Sequence, residues 1–128
     1  MGITVQWDNF EKTVIRYDFE SSWTWDDFHA AAAKSGAMTK EVKHQVHLIA
    51  NMFHSAPLPE GAMLQFSNAL RNAPKDRGMF VIVAGDAWMN TLARILGKTI
   101  TRPGSKFALV ATLEEARAIV TQAQQVAR

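Results

Sequence analysis

Four histidines, two adjacent aspartates and one isolated Gly-Asp turn are the residues whose types could do chemistry in this chain. His44 and His47 stand three apart, a spacing that suits metal binding from one face of a helix. Val46 to Phe53, however, is a mostly apolar run that reads as a strand, where positions three apart point to opposite sides. They make a poor ligand pair. His47 and Asn51 share strand parity, and a histidine inside an apolar strand reads as hydrogen-bonded structure. His29 and His54 have no acidic companion at motif spacing. Asp26 and Asp27 diverge on a helix and fall in its first turn, where negative charge favours the dipole, so they read as capping residues.

Nucleophilic catalysis by serine needs a histidine base and an orienting carboxylate, and no Gly-x-Ser-x-Gly elbow is present. Neither Gly-x-Gly-x-x-Gly nor the Walker pattern occurs, and Gly85-Asp86 is an isolated turn glycine. The absence of cysteine removes thiolate metal sites, disulfides and a cysteine nucleophile. The reading is a non-enzyme with no catalytic residue, no cofactor and no metal.

The chain has 128 residues, enough for one domain with one core. Hydrophobic residues at 48% and charged residues at 20% match ordinary globular usage and argue against disorder. The formal charge of +2 comes from scattered basic residues, the densest set being Lys98, Arg102 and Lys106 in a loop-like stretch. Nucleic acid requires clustered Lys and Arg, so it is not an expected partner. Met1 to Asp8 alternates apolar with polar residues and does not read as a signal peptide. No apolar run approaches the roughly 20 residues of a membrane span. A reducing cytoplasm fits the lack of cysteine best.

These residues need elements to position them. Ile3, Val5 and Trp7 alternate with polar residues as in a half-buried strand. After the Asp8 to Glu11 turn, Thr13 to Phe19 resumes the alternation, with Ile15, Tyr17 and Phe19 on one side of a hairpin. Trp25, Phe28 and Ala32, with Ala31 and Ala33 nearby, have helical spacing, with a capping box at Thr24 and Asp27 and a stop at Ser35-Gly36. Val46 to Phe53 reads as the central strand. A loop with Pro57 and Pro59 leads to a helix on Met63, Phe66 and Leu70. Met79 to Val83 is a second buried strand. Asp86 is the N-cap of a helix on Trp88, Leu92 and Ile95. Phe107 to Val110 is a short last strand, and Thr112 to Glu115 is a capping box opening a helix with Ala116, Ile119, Val120 and Ala123 inward. The class is α/β, with order β-β-α-β-α-β-α-β-α and helices packed on a mixed sheet opened by an antiparallel hairpin.

That order resembles the STAS domain, the sulfate transporter and anti-sigma factor antagonist family. Val46 to Met52 stands where the family has its central apolar strand, and Gly85-Asp86-Ala87-Trp88 stands at the next strand-to-helix turn. The Trp23 to Phe28 helix start and Thr112 to Arg117 are similar to a bacterial branch of STAS-like proteins, which share their broad fold with a lipid-binding superfamily. The resemblance spans most of residues 3–122. Family members carry a switchable Ser or Thr at the start of the helix after the central strand, usually preceded by Asp. Here Asn51 stands in place of the acid at the strand end, and Ser55 is the only hydroxyl nearby. A phosphate on Ser55 would add roughly −1.5 to −2 of charge.

The resemblance implies a regulatory or protein-interaction module, whose loops 54–61 and 85–88 meet a partner protein or a second copy of the chain. The partner-binding residues are then His54, Ser55, Glu60, Asp86 and Trp88, with Trp23, just outside the helix cap, as an exposed anchor. The alternative is a small-molecule or lipid-binding domain, with an apolar ligand between helices and sheet lined by Phe53, Met63, Phe66 and Met89.

Overall fold

A computed structural model of the chain describes residues 2–20, 22–54, 78–84 and 107–126. Ile3–Trp7 (β1) and Val14–Phe19 (β2) pair antiparallel, with Ile3 opposite Phe19 and Trp7 opposite Ile15. Asn9 builds the turn between them. Its Oδ1 accepts from the Thr13 and Val14 N–H groups at 3.0 and 3.2 Å, and its Nδ2 donates to Thr13 Oγ1 at 2.6 Å. A short amide side chain can replace backbone partners in this way. Lys12 closes the turn in the left-handed region at φ 58°, and its carbonyl accepts from His44 Nε2 at 2.8 Å.

His47–Met52 (β3), Phe80–Ala84 (β4) and Phe107–Val110 (β5) follow β2 in parallel, giving a five-stranded mixed sheet in the order β1-β2-β3-β4-β5. Continuous apolar runs belong in strands covered on both faces. Val81, Ile82 and Val83 accordingly keep 0, 1 and 0% of their surface. Each such side chain stabilises the fold by about 1.5–3 kcal/mol relative to exposure.

Strand parity divides the core in two. Val5, Ile15, Tyr17, Phe19, Ala50, Met52 and Ile82 share one face with Ala31 and Met38 of the helix Trp25–Thr39 (α1). Val14, Ile49, Val81, Val83 and Val110 share the other with Ala116 and Val120 of Leu113–Val126 (α2). Among the described residues the sheet is thus covered by one helix on each side. The helices expected on Met63 to Leu70 and Trp88 to Ile95 lie outside the described residues, so the mixed α/β sheet stands while the complete nine-element order rests on sequence. Among the described residues no helix is long and apolar enough to cross a membrane.

Helix α1 begins as its sequence dictates. Asp27 N–H donates to Thr24 Oγ1 at 3.1 Å, and Thr24 N–H donates to Asp27 Oδ2 at 3.0 Å, closing the capping box. It does not stop at Ser35-Gly36 but continues to Thr39. Ser35 turns inward, donates to the Ala32 carbonyl at 3.1 Å and shares a hydrogen bond with the Tyr17 hydroxyl, while Met38 adds a further buried turn. The inward stripe runs through Ala31, not Ala32, which is exposed. Helix α2 is capped at Thr112, whose Oγ1 accepts from Glu115 N–H at 3.1 Å.

Trp23 is buried at 8% exposure, which corrects its reading as an exposed partner-binding anchor. Its ring stands edge-on to Phe19 and to Trp25, each at 5.0 Å, and 6.5 Å from Phe28. It occupies the position before the N-cap and packs on the residue four places into the helix, a hydrophobic staple that fixes how the chain enters α1. Gly2 lies against it so closely that an added Cβ would stand 2.5 Å from that of Trp23.

Candidate functional site

The α2 side of the sheet changes character across its width. Over β4 and β5 it is aliphatic, but over β1 and β2 it carries Gln6, Asp8, Arg16 and Asp18, all of one strand parity, with Asn51 beside them on β3, where Ile49 stands between it and His47. Arg16 lies along β2 and joins two carboxylates. Its Nη1 donates to Asp8 Oδ1 at 2.6 Å, and its Nε donates to Asp18 Oδ1 and Oδ2 at 3.0 and 2.9 Å. Asp18 also accepts from Gln6 Nε2 and Asn51 Nδ2, each at 3.1 Å.

Asp8 takes a second guanidinium from α2. Arg117 Nε donates to Asp8 Oδ2 at 3.0 Å and its Nη2 to Asp8 Oδ1 at 2.8 Å. The Asp8 side chain is 5% exposed. Burial pushes its carboxyl up, but the hydrogen bonds and charges of Arg117 and Arg16 outweigh that and hold it below the usual 3.8. The same bond to Asp8 raises Arg117. Asp8 is therefore held as an acceptor, Asp18 accepts from three side chains, and the arrangement ties hairpin, sheet and α2 together. It offers neither a poised proton donor nor an activated nucleophile.

The track ends at the carboxyl edge of β2 and β3, the edge at which open parallel sheets present their binding loops. Asn51 turns its Oδ1 toward the Phe53 N–H, 3.4 Å away, while its Nδ2 is held by Asp18. Phe53, read as the last residue of an apolar strand, is instead outside β3 and 50% exposed, its ring edge-on to exposed His54 at 5.1 Å. Apolar contact surface thus stands on a turn anchored by hydrogen bonds to the sheet.

His54 is placed on this surface. Ser55, Glu60, Asp86 and Trp88 lie outside the described residues, as do Met63, Phe66 and Met89 of the ligand reading and the basic set Lys98, Arg102 and Lys106. His44 and His47 do not converge: His44 binds the Lys12 carbonyl, whereas buried His47 accepts at Nδ1 from Met79 N–H at 2.9 Å. Gly78 makes that approach possible, because a methyl there would overlap the His47 ring. Among the described residues no three His, Asp or Glu side chains gather as metal ligands would.

Sequence reasoning missed Asp8, Arg16, Asp18 and Arg117. A charged pair two apart within a strand of buried neighbours was the available signal for Arg16 and Asp18, since both must point to one face and find partners there. Compared with protein-family models, with curated proteins and with solved structures, the chain matches none.

Proposed function

We propose that this chain is a non-catalytic, STAS-like protein-interaction module that docks a partner protein at the carboxyl edge of its parallel strands. The observation that carries the reading is Phe53. A half-exposed phenylalanine, its ring edge-on to exposed His54 and following directly on a strand with fully buried residues, presents apolar area without a side-chain role in the core. Aromatic anchors on a rigid support contribute most to binding when little must be ordered on association. Asn51 provides that support from β3, and the polar track beneath it has its carboxylates committed to guanidinium partners. The resemblance of Val46 to Met52 and its flanks to the STAS family points to the same edge.

The test is affinity capture from the source cells with the intact chain and with a Phe53→Ala, His54→Ala double variant whose circular dichroism and melting match the parent. A partner retained by the parent and lost by the variant is the expected result. Capture of the same proteins by both, or of nothing specific by the parent, removes this reading.

A further inference from the structure

Strand β1 ends the sheet, and among the described residues it pairs only with β2. Its two hydrogen-bonding sides are unequally used. Glu20 N–H donates to the Gly2 carbonyl at 2.8 Å and Asp8 N–H to the Val14 carbonyl at 2.7 Å. Both ends of the ladder therefore place the bonded pairs at even residues, and alternation sends the N–H and C=O groups of Ile3, Val5 and Trp7 to the outer edge.

We infer that this edge is the contact between two copies of the chain, joined antiparallel about a two-fold axis at Val5. Three observations select a second copy as the occupant. The segment Ile3-Thr4-Val5-Gln6-Trp7 is self-complementary: the register that sets Val5 opposite Val5 sets Ile3 opposite Trp7 and Thr4 opposite Gln6. Apolar residues then meet on the α1 face and polar ones on the other. The same register brings the three outward-facing residues into hydrogen-bonded pairs, for about six new backbone bonds. A slip by two residues in either direction leaves part of the strand unpaired.

Side-chain exposure agrees. Ile3 and Trp7 are each half-buried against the core in one copy, and the pairing sets each beside the other's uncovered part. Thr4 and Gln6 are exposed, so the face opposite α1 is open at this edge. Finally, the strand carries no charge, proline or bulge, devices that proteins use to keep an edge single. Two five-stranded sheets would become one of ten strands. The contact involves neither Phe53 nor His54, so it stands or falls apart from the partner surface.

The experiment measures mass by sedimentation equilibrium, together with amide hydrogen exchange at high and low concentration. The parent is expected to dimerise, with the Ile3, Val5 and Trp7 amides slowed in concentrated solution and released on dilution, while Thr4 and Gln6 stay slow throughout. Thr4→Lys with Gln6→Lys puts like charges opposite across the axis and should weaken association by roughly tenfold or more. Thr4→Glu with Gln6→Lys puts opposite charges there and should restore it. A parent that is monomeric up to its solubility limit overturns the inference. So does a dimer indifferent to both double substitutions, or one in which the three odd amides exchange no more slowly than in the monomer.

Discussion

Asn51 donates its side-chain amide to Asp18 Oδ1 at 3.1 Å, joining β3 to β2 at the carboxyl edge of the sheet. An acid at position 51, which the STAS resemblance leads one to expect, would place two carboxylates where this bond stands. Asn51→Asp should therefore lower stability at pH 7 by about 1–2 kcal/mol, more than the loss of one partly exposed hydrogen bond. Repulsion raises one carboxyl of the pair in the folded state, so the folded variant binds the extra proton more readily than the unfolded chain. Its deficit should shrink as pH falls toward 4. Urea unfolding at the two pH values, with Asn51→Ala as control, measures this, and an Ala variant as pH-sensitive as the Asp variant would contradict it.

Asp8 should be the most costly position in the polar track. Removing it takes from Arg117 its carboxylate and from Arg16 one of its two, Asp18 being the other, whereas removing Arg117 leaves Asp8 still paired with Arg16. Asp8→Ala should cost about 3 kcal/mol and Arg117→Ala about 1 kcal/mol, since the Arg117 side chain is half exposed. The folded pKa of Asp8 is depressed below 3.8, so its contribution is full above that value and is lost as pH falls through the lower folded one. Acid unfolding of Asp8→Asn should lack this component of the parent's decline. Equal acid sensitivity in parent and variant would count against the tether.

Tyr17 and Ser35 share a hydrogen bond between β2 and α1, but the two ends are not equivalent. Ser35 also donates to the Ala32 carbonyl, so Tyr17→Phe leaves it partnered. Ser35→Ala leaves the Tyr17 hydroxyl buried without an acceptor or donor opposite. The expected costs are about 1 kcal/mol for Tyr17→Phe and about 2 kcal/mol for Ser35→Ala. Burial raises Tyr17, the only tyrosine, above its usual 10.0, with the Ser35 bond acting against it. Its contribution is complete below pH 10.0 and declines as pH rises through the folded value. Absorbance at alkaline pH should thus show tyrosinate forming later in the native chain than in urea.

The strands were legible because burial on both faces leaves little room for polar residues, and β3, β4 and β5 fall within two residues of their apolar runs. The helix stop at Ser35 misled, since a hydroxyl marks a boundary only when it faces water, and this one meets Tyr17. Trp23 misled for a related reason: a position outside the helix is not outside the core when the chain is stapled to the next turn. The polar track was invisible as a motif because Asp8 and Arg117 are 109 residues apart and meet only once the sheet is folded. Trp23→Ala should consequently cost about 3–5 kcal/mol, the range for a large buried aromatic. A chemical-melt midpoint unchanged from the parent would return Trp23 to the surface.

Phe53 should behave in the opposite way to Trp23, although both are large aromatics beside an element end. Half of its surface is already in water, and its ring contacts exposed His54. Phe53→Ala should shift stability by no more than about 0.5 kcal/mol, as surface substitutions do. Its effect on partner capture should be large, because a truncated anchor costs about 2 kcal/mol or more, some thirtyfold in affinity. The contrast separates a contact residue from a packing residue without any knowledge of the partner. If Phe53→Ala unfolds the chain at a denaturant concentration well below the parent's, the side chain belongs to the core and the docking surface must be sought elsewhere.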